Sequence, residues 1–110
     1  MGNINFDARS CSYYSDYYDH RVFLNDNNMY YLDDLCVVET VCDAQHGDWK
    51  TVVAQGIKPI PKGTQLRVSK VWQNFYGVWI QVFYDGRYYD LYPRSLKYVK
   101  REAPHQRGEI

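Results

Sequence analysis

The sequence predicts an all-β domain centred on a small twisted barrel, on three observations. From Pro61 to Val99, short runs of β-branched and aromatic residues alternate in polarity, which is the period-2 pattern of half-buried strands. Those runs are separated by Pro-Lys-Gly at 61–63, Asn-Phe-Tyr-Gly at 74–77 and Asp-Gly at 85–86, all turn-forming combinations. The composition agrees: 12 tyrosines, three tryptophans and four phenylalanines among 110 residues favour strands whose aromatic faces stay partly wet.

Element by element, residues 1–20 are biased towards tyrosine and aspartate and carry no clear period. A hairpin follows, with Arg21–Leu24 and Met29–Leu32 joined by Asn25-Asp26-Asn27-Asn28, residues that tolerate left-handed backbone and bond their own main chain. Leu35 to Cys42 is dense in β-branched residues and reads as a strand. A short helix within 8–20 or 29–36 is an alternative. The run Ala44–Asp48 reads as a turn into a further strand, Trp49 to Ile57. Pro59 and Pro61 bracket a loop ending at Gly63, because neither can donate to a ladder. Strand Thr64–Trp72 turns Leu66 and Val68 inward, and Lys70 breaks the alternation, so Val71 returns to the core through a bulge. Strand Val78–Tyr84 sets Val78, Ile80 and Val82 against Trp79, Gln81 and Phe83. Asp85-Gly86 suits a type I′ turn, and Tyr88–Tyr92 returns with Tyr89 and Leu91 inward. Pro93 to Leu96 suits one 3₁₀ turn, and Lys97–Lys100 is the last strand.

Three divisions are expected: an acidic, tyrosine-rich region at 1–48 packing on the barrel, the barrel itself at 49–101, and a tail at 102–110. Residues 1–48 hold nine acidic and two basic side chains, a balance of −7, while residues 49–110 hold eleven basic and four acidic, a balance of +7. This asymmetry serves self-association, a two-faced surface, or neutralisation of the halves within one domain. No apolar run approaches the roughly 20 residues that span a bilayer, and the first residues have neither the basic nor the apolar region of a signal peptide. A cytoplasmic protein without a membrane partner is expected. Cys11, Cys36 and Cys42 are odd in number and show no Cys-x-x-Cys spacing, so reduced thiols acting as small hydrophobes are expected.

The order Lys-Gly-Thr-x-Leu-x-Val from Lys62, an aromatic hairpin, Tyr-Asp-Gly-Arg from Tyr84, and Tyr-Pro-Arg-Ser-Leu-Lys-Tyr-Val from Tyr92 resembles the Src-homology-3 fold and its bacterial relatives. The resemblance covers residues 58–100. It implies an all-β, Src-homology-3-like barrel, here with an N-terminal β-hairpin extension. It also implies a ligand groove in which Trp79, Pro93 and Tyr98 take the positions of the family's groove tryptophan, proline and tyrosine. No Ala-Leu-Tyr-Asp-Tyr-like motif precedes Lys62, so the family's usual polyproline recognition is not implied.

No residue pattern points to catalysis. His20, His46 and His105 lack partners at metal-ligand spacing, and Asp33-Asp34 would point to opposite faces of a strand and so form no acid–base pair. No enzyme, cofactor or metal is expected. The favoured function is a non-catalytic protein-binding module that uses Trp72, Tyr76, Trp79, Phe83, Tyr88, Pro93 and Tyr98, since large aromatics dominate recognition surfaces. A second, acidic surface would comprise Asp16, Asp19, Asp26, Asp33 and Asp34. One alternative is nucleic-acid binding through Arg67, Lys70, Arg87, Arg94 and Lys97 beside the aromatics. Another is a small phage or mobile-element inhibitor whose spaced carboxylates mimic nucleic-acid charge.

Overall fold

The computed structural model describes residues 6–7, 12–13 and 21–102. Its backbone is mostly β, with about half of the described residues in strands. The strands are β1 (Phe6–Asp7), β2 (Ser12–Tyr13), β3 (Arg21–Phe23), β4 (Met29–Tyr31), β5 (Cys36–Thr40), β6 (Gln65–Asn74), β7 (Gly77–Tyr84), β8 (Arg87–Leu91) and β9 (Leu96–Arg101). One helix, α1 (Trp49–Gln55), lies between β5 and β6, and a 3₁₀ turn (Pro93–Ser95) precedes β9. The expected hairpin at 21–32 is present as an isolated β3–β4 pair.

The main sheet runs β8–β7–β6–β5–β9, with β2 and then β1 added at the far end of β6. Strand β6 changes register between Val68 and Lys70, so the expected bulge falls at Ser69. Before it, Gln65–Arg67 pair with β5; after it, Lys70–Asn74 pair with β7. The bulge bends the strand just past the point where its pairing passes from β5, at Arg67, to β7, at Val68. Both hairpin turns follow from their residues. At Asp85 and Gly86 φ is 50° and 85°, the doubly left-handed backbone that a type I′ turn needs. At the other turn, Asn74 Oδ1 accepts from the Tyr76 N–H at 2.9 Å.

The core lies on the concave side. Leu66, Val68 and Val71 of β6, Ile80 and Val82 of β7, and Tyr89 and Leu91 of β8 meet Cys36 and Val38 of β5 and Leu96 of β9. Val22, Leu24 and Leu32 enter from the hairpin, and Ala44, Ile57 and Ile60 from the segment before β6. Of the inward set read from the alternation, Leu66, Val68, Val71, Ile80, Val82, Tyr89 and Leu91 are buried as expected, and Val78 is half-buried.

The expectations for 49–57 and for a helix at 29–36 need correction. Residues 49–55 are helical, not a strand: Asp48 caps the first turn by accepting from the amides of Lys50 and Thr51, and Gly56 ends it in left-handed backbone at φ 64°. A capping aspartate and a terminating glycine outweigh the β-branched content between them. Nor is a helix found at 29–36, where β4 is followed by a turn in which Asp33 Oδ1 accepts from the Leu35 amide at 2.9 Å. The β content is as expected, and the sheets are not closed into a barrel. After Leu91 the 3₁₀ turn carries the chain across to β5, and other segments occupy the two ladder ends. The Leu96 carbonyl of β9 accepts from the Asn25 amide at 3.0 Å, and the Asp90 carbonyl of β8 accepts from the Gly47 amide at 2.9 Å. Strand β5, from the acidic half, pairs with both β6 and β9.

The opposed charges of the two halves meet inside the chain. Lys97 pairs with Glu39 at 3.6 Å and Arg101 with Asp33 at 2.8 Å, while Glu102 takes Lys100 at 3.4 Å and also Arg67. Partial burial pushes the Asp33 carboxyl up, but the Leu35 amide and the Arg101 guanidinium more than offset this and hold it below the usual range. Bonding from Arg67 lowers the Glu102 carboxyl, and bonding from Lys100 adds to it. Among the described cysteines, Cys36 is buried as expected, whereas Cys42 lies past the end of β5 and is exposed.

Truncating Leu91, which has no exposed surface, should cost about 2–5 kcal/mol as Leu91→Ala. Val53→Ala on the exposed side of α1 should stay within about 0.5 kcal/mol; urea titration compares the two. The lowered carboxyls of Asp33, Asp48 and Glu102 stabilise the fold fully above their unfolded values, and that stabilisation drains away as pH falls through the lower folded ones. The urea midpoint should therefore fall steeply below about pH 4, and less steeply in Asp33→Asn.

Candidate functional site: an aromatic cleft

The convex face of β6–β7–β8 carries the site. Register places Trp72 opposite Trp79 and Gln81 opposite Asp90, so these side chains share the face away from the core. Three elements wall a cleft of about 570 Å³: the sheet face, the β6–β7 turn, and the run His46–Lys50 that enters α1. Its lining is Trp72, Asn74, Tyr76, Trp79, Asp90 and Tyr92 on one side and His46, Gly47, Asp48, Trp49 and Lys50 on the other.

The aromatic rings are held by polar bonds at their edges. Trp72 Nε1–H donates to Asp90 Oδ1 at 2.8 Å, and Trp79 Nε1–H donates to Asn74 Oδ1 at 2.9 Å. Gln81 also donates to Asp90 Oδ1, at 3.4 Å. Ring centroids of Trp79 and Tyr92 are 4.6 Å apart, and those of Trp72 and Trp79 are 6.3 Å apart. Fixing the indole edges fixes the ring planes, so the apolar wall is preorganised. The opposite wall depends on Gly47: a Cβ there would stand 2.2 Å from Trp79 Cζ3. Beyond it, Asp48 accepts from the Thr51 hydroxyl at 2.6 Å, and this bond is the main cause holding its carboxyl below the usual range.

The sequence-predicted binding residues divide into separate places. Trp72, Tyr76 and Trp79 come together in the cleft. Trp79 does project from the face opposite the core, but it is only 6% exposed, because Gly47 packs on its ring. It is a wall of the cleft. Phe83 and Tyr88 form a second exposed pair towards the Asp85-Gly86 turn, with centroids 4.9 Å apart, and do not line the cleft. Pro93 opens the 3₁₀ turn. Tyr98 stacks on Tyr30 at 4.4 Å, remote from Trp79 in its contacts.

The basic set does not gather either. Arg67 and Lys97 are in ion pairs, and Arg87 donates to Gln55 of α1 at 3.0 Å. Lys70 lies on β6 and Arg94 in the 3₁₀ turn. Of the acidic set, Asp26 accepts from the Tyr30 hydroxyl, Asp33 holds Arg101, and Asp34 is exposed; Asp16 and Asp19 lie outside the described residues, as do Cys11, His20 and His105. Among the described residues, no group of three or more His, Cys, Asp or Glu is placed to hold a metal ion, and no helix is long and apolar enough to cross a membrane.

Sequence reasoning missed His46, Asp48, Trp49, Asn74 and Asp90 as site residues. The available signal was the Gly47-Asp48 step followed by Gly56, the bracket of a short capped helix. Assigned to that helix, Trp49 leaves the sheet and becomes the far wall. Compared with protein-family models, with curated proteins and with solved structures, the chain matches none.

Gly47→Ala should shift either the run His46–Asp48 or the indole and cost about 1–3 kcal/mol. Thermal melting should register the loss, and tryptophan emission should move to longer wavelength as water reaches Trp79.

Proposed function

We propose that this chain is a non-catalytic protein-binding module of Src-homology-3-like architecture, whose ligand site is the cleft between the convex sheet face and the start of α1. The strand order β8–β7–β6–β5–β9, the Asp-Gly turn and the 3₁₀ turn before β9 support the architectural part of this reading. The observation that carries the functional part is the preorganised aromatic wall of Trp72, Trp79 and Tyr92, with Tyr76 beside it and Trp49 across the cleft. Trp49 and Tyr76 are 66% and 79% exposed, so they offer apolar area that a partner can cover. Such rigid aromatics surrounding a concavity are where interface energy concentrates.

The polar groups of the cleft favour binding over chemistry because they are engaged in holding the walls. Asp48 caps α1, Asp90 orients Trp72 and Gln81, and His46 accepts from a backbone amide. Two carboxylates, Asp48 and Asp90, face one cation, Lys50. That balance suits a partner segment bringing a basic side chain, which gains about 0.5–2 kcal/mol over an indole face.

Trp79→Ala would mainly probe packing, so the test uses the exposed rim. Peptides selected from a random displayed library on the wild-type protein should lose about tenfold in affinity, ~1.4 kcal/mol, on either Trp49→Ala or Tyr76→Ala. They should be enriched in Arg or Lys and indifferent to Phe83→Ala. Failure to select any peptide, or dependence on Phe83 and Tyr88 instead of the cleft rim, refutes the assignment.

A further inference from the structure

The run Ala44–Asp48 is a strap that pairs with Ile60 at Ala44 and bonds to Asp90 of β8 at His46 and Gly47, and one of its attachments uses an acceptor that a proton removes. Ala44 and Ile60 exchange two backbone hydrogen bonds, at 2.8 and 2.9 Å, and the Gly47 N–H donates to the Asp90 carbonyl at 2.9 Å. The remaining attachment is the Asp90 N–H donating to His46 Nδ1 at 3.1 Å. An imidazole nitrogen accepts only while it is unprotonated, so this bond requires a neutral ring carrying its hydrogen on Nε2. We infer that His46 is a protonation-controlled latch: the neutral ring fastens the strap to β8, and the charged ring releases the Asp90 amide and loosens the cover over Trp79.

The groups around His46 give the charged ring a place to go. Asp48 follows it by two positions and interacts with it electrostatically. Asp90 lies across the strap on β8, and Lys50 lies on the cleft wall. The Tyr89 ring stands edge-on at 5.9 Å. An imidazolium that gives up the Asp90 amide gains donors on both nitrogens, and the two carboxylates accept from it, with Lys50 opposing. The strap thus has two arrangements that differ in one proton, which is the requirement for a switch. The latch does not depend on what occupies the cleft.

Residue-resolved NMR of the whole chain tests it. From about pH 8 to about pH 5, the protection factor of the Asp90 amide should fall about tenfold, with the midpoint of the His46 Cε1–H titration. The Trp79 indole N–H resonance should move with the same midpoint, while the amides of Ile80 and Val82 keep their protection. In His46→Gln, whose side-chain oxygen accepts but does not titrate, the response of Asp90 and Trp79 should vanish. An Asp90 amide indifferent to His46 titration, or a response that persists in His46→Gln, overturns the latch. If His46→Gln does not fold, the wild-type midpoints decide alone, and unequal midpoints overturn it.

Discussion

Strand β6 serves two sets of neighbours because it bends at Ser69, and the rest of the molecule depends on that bend. A straight strand of ten residues would pair along its whole length with the same two partners, and its apolar face would stay open on one side. The register change between Val68 and Lys70 restores Val71 to the inward side and turns β7 and β8 across β5 and β9. Ile80, Val82 and Leu91 thereby come to face Cys36, Val38 and Leu96. On the opposite face Trp72 and Trp79 stack beside each other, and the run before α1 packs over Trp79.

The two ends of the ladder are managed by covering them. Open edges invite pairing with other chains, and here neither end strand leaves its whole edge free. The hairpin loop bonds to β9 at Leu96, and the strap bonds to β8 at Asp90. The chain's charge segregation is resolved in a similar way. Lysines and arginines of β9 reach back to Glu39 and Asp33, so the acidic and basic halves act as mutual neighbours in one sheet. Exposed ion pairs of this kind add little stability singly.

Much of this was legible in the residues themselves. Asp85-Gly86 and the alternation of Val78, Ile80 and Val82 carry their meaning within a few positions, because turn geometry and the strand period are local properties. The bulge was readable for the same reason, through the interrupted alternation at Lys70. What escaped was the helix at 49–55, where Val52 and Val53 argue for a strand and the caps at Asp48 and Gly56 argue otherwise. The cleft was only half legible. Its sheet wall followed from alternation, but its other wall depends on a loop whose position is set by bonds to Asp90, 44 residues away from His46. Pairwise contacts of that span leave no local period. The burial of Trp79 was unreadable for that reason, since the residue that covers it has no side chain to announce the contact.

That contact has a consequence for how the sequence can drift. Position 47 has room for a hydrogen only because an indole fills the space at position 79. A lineage that replaced the indole with a smaller side chain would free position 47 to accept almost any residue. One that kept the indole would be held to glycine. The two positions should therefore change together or not at all among descendants of this chain, a linkage that would be visible as correlated substitution between sites far apart in the gene.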